Sequence, residues 1–178
     1  MFLNSYLYTN SENKNLVDGI YEKIVLISRN KCFYETYSVP DTLDGRFDLL
    51  VLFSVITTFF LQKKNPRGKL LSQILFDKIF LDLDLSLREL GAGDAGVHIK
   101  IKNMIKSYMG RQKVYCDSLE KNDFKTLKKQ IIKNIYRNVD NCLNSADLLN
   151  DYCKKTSISF HAKKDNDFLL NKFDFPKI

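Results

Sequence analysis

Residues 80–111, FLDLDLSLRELGAGDAGVHIKIKNMIKSYMGR, hold two helical periods back to back. Phe76, Phe80, Leu83, Leu87 and Leu90 step by four and three residues, which on a turn of 3.6 residues draws one apolar seam. The seam stops at Gly91-Ala92-Gly93, where glycine permits the left-handed backbone that closes a helix and satisfies its last carbonyls. Asp94 stands where a side-chain oxygen would cap the first free amides of a second helix. That helix carries Val97, Ile101, Met104, Ile105, Tyr108 and Tyr115 on one side, with Lys100, Lys102, Lys106 and Lys113 largely elsewhere. The stretch predicts a helical hairpin. Its corner, Arg88-Glu89 through Gly96, is rich in glycine and charge and is the candidate functional centre.

The same period recurs on both sides of the hairpin. Leu16, Ile20, Ile24 and Ile27 predict a helix over Leu16–Ser28, and 30–44 read as a connector. Arg46–Lys64 is the most apolar segment; its unbroken part, Leu49–Leu61, is shorter than the roughly 20 residues a membrane span requires. It therefore reads as a buried central helix, ended by Asn65-Pro66-Arg67-Gly68. Downstream, Leu127, Ile131, Ile135 and Val139 predict a helix over 125–138, and a short last helix runs from Ser145, a candidate cap, to Lys155. The fold class expected is all-α: a single-domain, irregular helical bundle of about five to seven helices. Its helical domain spans 15–155, between a flexible stretch 1–14 and a tail 156–178, either flexible or docked through Phe160, Phe168, Phe173 and Phe175.

Charge is unevenly placed. Between His98 and Arg137 there are eleven Lys or Arg and three acids (Asp117, Glu120, Asp123), while the whole chain carries a net +7. A basic face over Lys100–Arg137 attracts an anionic membrane surface, RNA or an acidic partner. It also serves simply as a solvated surface. Lysine-dominated charge without an RNP, KH or zinc-knuckle signature speaks against sequence-specific nucleic-acid recognition.

Catalytic and metal chemistry find no footing. Cys32, Cys116, Cys142 and Cys153 lack metal-type spacing, and His98 and His161 are the only histidines. Gly91-x-Gly93-x-x-Gly96 imitates a phosphate cradle but follows a helix rather than a strand. Asp77, Asp82, Asp84 and Glu89 read as a solvated face or as partners of Lys78 and Arg88. No cofactor, no metal and no enzymatic activity are expected. MFLNSYLYTNSENKN lacks the basic start and apolar run of a secretion signal, so a cytoplasmic place, peripheral at most on the inner face of the membrane, is the expectation.

Leu87 through Val97, Lys102, Met104 and Tyr108-Met109-Gly110-Arg111 together resemble the signature of the ubiquinol–cytochrome c chaperone family. The likeness extends upstream to Val39-Pro40-Asp41-Thr42, Asp44-Gly45-Arg46-Phe47-Asp48-Leu49-Leu50 and Leu75-Phe76-Asp77, and so covers roughly 35–120. Phe53 stands where the family commonly has His, His98 where it has Pro, and Leu83 where it has Met. The resemblance implies a non-catalytic assembly chaperone for the bc complex with cytochrome b as client, in mitochondrial relatives joined by a small partner protein. The N-terminus, unlike an Arg-rich transit peptide, makes a bacterial setting the working expectation. It implies partner-binding roles for Arg46, Asp48, Arg88, Glu89, Asp94 and Arg111, beside Met104 and Tyr108, with Gly91, Gly93, Gly96, Val97, Lys102 and Gly110 completing the motif. Either Arg88 or Arg111 is a candidate ion-pair partner of Asp48. The basic face leaves open an RNA-, ribosome- or anionic-membrane-binding module instead.

Overall fold

A computed structural model of the chain describes residues 6–7, 9–64, 66–91, 93–137, 139 and 142–178. All regular structure among them is α-helical: α1 (Ser11–Ser28), α2 (Lys31–Glu35), α3 (Leu43–Lys64), α4 (Pro66–Glu89), α5 (Asp94–Glu120), α6 (Phe124–Asn134), α7 (Leu143–His161) and α8 (Asp165–Leu169). Six of these are long and two are single turns, the all-α bundle that the periodicity predicts.

The centre is α3. Every residue from Phe47 to Leu61 is buried, and α1, α4, α5, α7 and α8 all pack against this helix. Its hydroxyls are satisfied locally: Ser54 donates to the Leu50 carbonyl, Thr57 to Phe53 and Thr58 to Val55, at 2.6, 2.8 and 3.1 Å. A buried hydroxyl that bonds its own preceding turn costs little, so these residues do not interrupt the apolar surface. Phe53 lies in an aromatic nest with Phe33, Tyr152 and Phe175, centroids 5.2–5.9 Å away.

Several boundaries differ from the periodic reading. Helix α1 begins at Ser11 rather than Leu16, because the Asn10 side chain accepts from the Asn13 amide at 2.9 Å and caps it there. Residues 1–5 and 8 of the expected flexible stretch lie outside the described residues, as do Asn65, Ala92 and the expected helix end at Asn138. Pro66 opens α4 instead of merely ending α3, a position where its missing N–H is no loss. Asp94 is not the cap of α5. Gly93 takes that position without a side-chain bond, and the Asp94 carboxylate is drawn instead to Arg88. Asp123, by contrast, caps α6 by accepting from the Thr126 amide at 3.0 Å. Ser145 is likewise not a cap: α7 starts at Leu143, two residues earlier.

The last helix does not stop at Lys155 but continues to His161, and the tail joins the core. Phe160, Phe168 and Phe173 are fully buried, with Phe168 and Phe173 stacked at 4.2 Å. The extended end is held through its carbonyls: Lys23 donates to Asn171 (2.8 Å), Tyr152 to Pro176 (2.7 Å) and Lys155 to Lys177 (2.7 Å).

Two glycines inside helices have opposite reasons to be there. A Cβ on Gly68 would lie 1.9 Å from the Leu61 carbonyl oxygen, so α4 leaves α3 at a spacing only glycine allows. Around Gly110 nothing lies within 4 Å. Gly68→Ala should therefore cost about 1–3 kcal/mol by overpacking, whereas Gly110→Ala should add about 0.5–1 kcal/mol through helix propensity. Urea unfolding of both variants checks the pair; a neutral Gly68→Ala would refute the close α3–α4 contact.

Candidate functional site

Three open hollows run in sequence along α5. The first, about 220 Å³, has Leu43, Phe47, Leu50, Leu83 and Met104 as an apolar floor and Arg29 and Arg46 at its rim. Its polar wall is fixed: Tyr21 donates to Asp82 at 2.6 Å and Tyr34 to the Ser28 carbonyl at 2.6 Å. Burial, reinforced by Asp82, pushes the Tyr21 hydroxyl well above its ordinary range and keeps it a donor. The second hollow, about 250 Å³, shares Leu43, Phe47 and Met104 with the first and adds Asp48, Lys100, Asn103, Ser107, Arg111 and Arg137. The third, about 300 Å³, shares Ser107 and Arg111 with the second and is bounded by α6. They form one furrow, apolar at one end and cationic at the other.

Asp48 is the hinge of the furrow. Only 1 % of its side chain is exposed, on the buried α3. Its Oδ1 lies 2.8 Å from Arg111 Nη2, and Oδ2 accepts from Arg137 Nη2 at 3.0 Å. Arg111 is 12 % exposed and its guanidinium lies 5.7 Å from the centre of the Phe47 ring, whereas Arg137 is half-exposed and also reaches Asp44 at 3.5 Å. Burial lifts the Asp48 carboxyl to about 6, although Arg111 and Arg137 both pull it down.

The residues singled out from sequence separate into three groups. Arg46, Asp48, Met104, Gly110 and Arg111 line the furrow. Arg88, Glu89, Gly91, Gly93, Asp94 and Gly96 form the exposed tip of the α4–α5 hairpin, where Arg88 pairs with Asp84 at 2.6 Å and with Asp94. Gly91 takes the left-handed conformation expected of it, φ 83°. Val97 and Tyr108 are wholly buried, Tyr108 packing edge-on against Phe76 and Phe80 at 5.2 and 5.7 Å, so they hold α5 in place from inside. Lys102 is exposed and lines none of the three hollows. Of the two candidates for Asp48, Arg111 is the partner and Arg88 is not.

Sequence reasoning missed Arg137 as a site residue. It was read as the end of a helix; it sits instead in the joint after α6 with φ 54°, a non-repeating conformation that periodicity does not reveal. Arg46 pairs with Asp41 at 2.6 Å in solvent, an interaction that water screens. No group of three or more His, Cys, Asp or Glu side chains placed to hold a metal occurs among the described residues. Nor is any described helix long and apolar enough to cross a membrane.

This geometry can be set beside known proteins. The family model "Ubiquinol-cytochrome C chaperone" matches residues 35–175, most of the chain and further than the motifs alone suggest. The chain belongs to the ubiquinol–cytochrome c chaperone family. The crystal structure of the Cbp3 homolog from Brucella abortus is similar over 99% of this chain and 97% of that one, with 29% identity and a TM-score of 0.83. No curated protein matches the chain significantly. Membership makes the protein an assembly chaperone of complex III, the ubiquinol–cytochrome c reductase, and implies a non-catalytic role.

The Asp48 carboxyl has a pH signature with a definite sign. Its folded pKa lies near 6 and a free carboxyl titrates near 4, so between these values the folded state binds the proton more strongly. The group's contribution to stability is therefore largest at low pH and is lost as pH rises through 6. Relative to Asp48→Asn, the wild type should gain on the order of 1 kcal/mol between pH 7 and pH 5. Urea midpoints of both proteins at the two pH values measure it. An unchanged gap would mean that Asp48 does not titrate in this window.

Proposed function

We propose that this chaperone acts on newly made cytochrome b, holding an apolar segment of the client in the furrow along α5. The observation that carries this reading is the continuity of the furrow. Leu43, Phe47 and Met104 are shared between two hollows, so the hollows adjoin and an extended or helical segment bound in one reaches the next. An apolar floor of this kind releases water when covered, and the cations at its far end orient the segment. The openness of all three hollows suits reversible holding, since a chaperone must give its client up to the assembling complex.

The hairpin tip takes a second part in the proposal. Gly93 and Gly96 have open space around them and Leu90 and Ile99 are exposed, so a small partner protein fits there better than on the furrow. We place the protein in the bacterial cytoplasm, steered towards the ribosome or the anionic inner-membrane surface by its basic face. The rival reading is a module that binds RNA or membrane by that face alone. Salt discriminates the two: pure charge binding collapses between roughly 50 and 200 mM salt, whereas an apolar segment stays bound.

A photoreactive residue at the exposed Asn103, on the wall of the second hollow, tests the proposal in native cells. Cytochrome b should dominate the captured products and persist at moderate salt, and Met104→Asp should remove it. Capture of ribosomal RNA or lipid alone, lost at moderate salt, would refute the client reading.

A further inference from the structure

The third hollow differs from the other two in having no carboxylate in its wall. Lys106 and Arg111 from α5 and Lys133 from α6 converge on it, with Ser107 and Gln130 as neutral donors. The Asn134 amide is already committed to the Tyr115 hydroxyl at 3.3 Å and forms part of the wall. Lys106 and Lys133, like Lys100, Lys102, Lys113 and Lys129 on the same two helices, have no ion-pair or hydrogen-bond partner among the described residues; what sets these two apart is that they face the third hollow together with Arg111. Arg111 is fixed by Asp48 through Nη2, while its Nη1 is buried without a hydrogen-bond partner. The buried Asp48 Oδ1, 2.8 Å from Nη2, is likewise without a hydrogen-bond partner, so the Arg111 guanidinium keeps donor capacity that this ion pair does not use. At Gly110, on the rim, nothing obstructs approach.

We propose that this hollow binds a phosphate dianion, either free phosphate or the phosphomonoester end of a lipid headgroup, between Lys106, Arg111 and Lys133. The arrangement favours phosphate over a carboxylate. The donors come from two helices and differ in direction, which suits a tetrahedral group with acceptor oxygens on several sides; a planar carboxylate faces one way. It disfavours RNA as well, because no aromatic side chain lines the hollow to stack a base. The site adjoins the client furrow, sharing Ser107 and Arg111 with the second hollow, but it lies away from the apolar floor and binding of phosphate to it can be read with no client present.

The test is an amide chemical-shift titration of the full chain with inorganic phosphate, at ionic strength held constant with chloride. Shifts should saturate and be confined to 106–111 and 130–134. Lys106→Gln and Lys133→Gln, both at exposed positions that spare the fold, should each weaken binding by about tenfold, against less than about twofold for Lys102→Gln, which removes the same charge elsewhere on α5. Sedimentation with vesicles of phosphatidylcholine carrying phosphatidic acid separates the sources. Binding above pure phosphatidylcholine, lost in Lys133→Gln, identifies the headgroup; saturable phosphate binding without it identifies the free anion. The proposal falls if shifts do not saturate, if Lys102→Gln weakens binding as much as Lys133→Gln, or if only a single-stranded RNA oligonucleotide binds.

Discussion

The structure depends on a helix with no free side. From Phe47 to Leu61, α3 is enclosed by its neighbours, so each polar group it carries must find a partner inside the protein. Ser54, Thr57 and Thr58 solve this with carbonyls of their own helix. Asp48 has no such option, because a carboxylate accepts and the carbonyls within reach on its own helix also accept. Its partners must come from elsewhere, and they come from α5 (Arg111) and from the joint after α6 (Arg137). One buried carboxylate thus ties three parts of the chain together at the point where the furrow turns from apolar to cationic. The raised Asp48 pKa shows that burial outweighs the two guanidinium groups. On that ground the cluster serves position more than net stability, since a well-packed apolar residue would avoid the desolvation cost. What an apolar replacement would not supply is a fixed direction for Arg111.

This division explains which features were legible in the sequence. Helices α3, α4 and α5 were, because each has enough turns for apolar spacing to declare itself, and the left-handed Gly91 followed from residue type. The tail was legible only in part: its phenylalanines pointed to docking, but Phe173 and Phe175 alternate, and their packing on Phe160 and Phe53 is set by distant residues. In the site, Asp48, Met104 and Arg111 came from the motif, but their convergence rests on the crossing of α3 and α5, which no local pattern encodes. Arg137 was hidden because its conformation belongs to a joint. Asp94 looked like a cap because the residue type is right for one, yet a nearby cation competed for the same carboxylate. Arg88 won that competition, being already anchored to Asp84 at 2.6 Å.

The hairpin tip and the furrow therefore differ in what they have left to offer. At the tip the one cation, Arg88, is shared by Asp84 and Asp94, and Gly91 is explained by its backbone. What it leaves uncovered is apolar, the exposed Leu90 and Ile99 that the proposed partner would meet. In the furrow the balance is reversed. Apolar floor remains uncovered around Leu43 and Met104, and the cations beyond Arg111 outnumber the acids that reach them. A chaperone gains from this order. Apolar contact supplies affinity that salt does not remove, while charge at one end fixes which way a segment lies and speeds its arrival. Because Asp48 holds Arg111 at the boundary between the two regions, on the proposed client reading a change at that carboxylate would disturb direction before affinity.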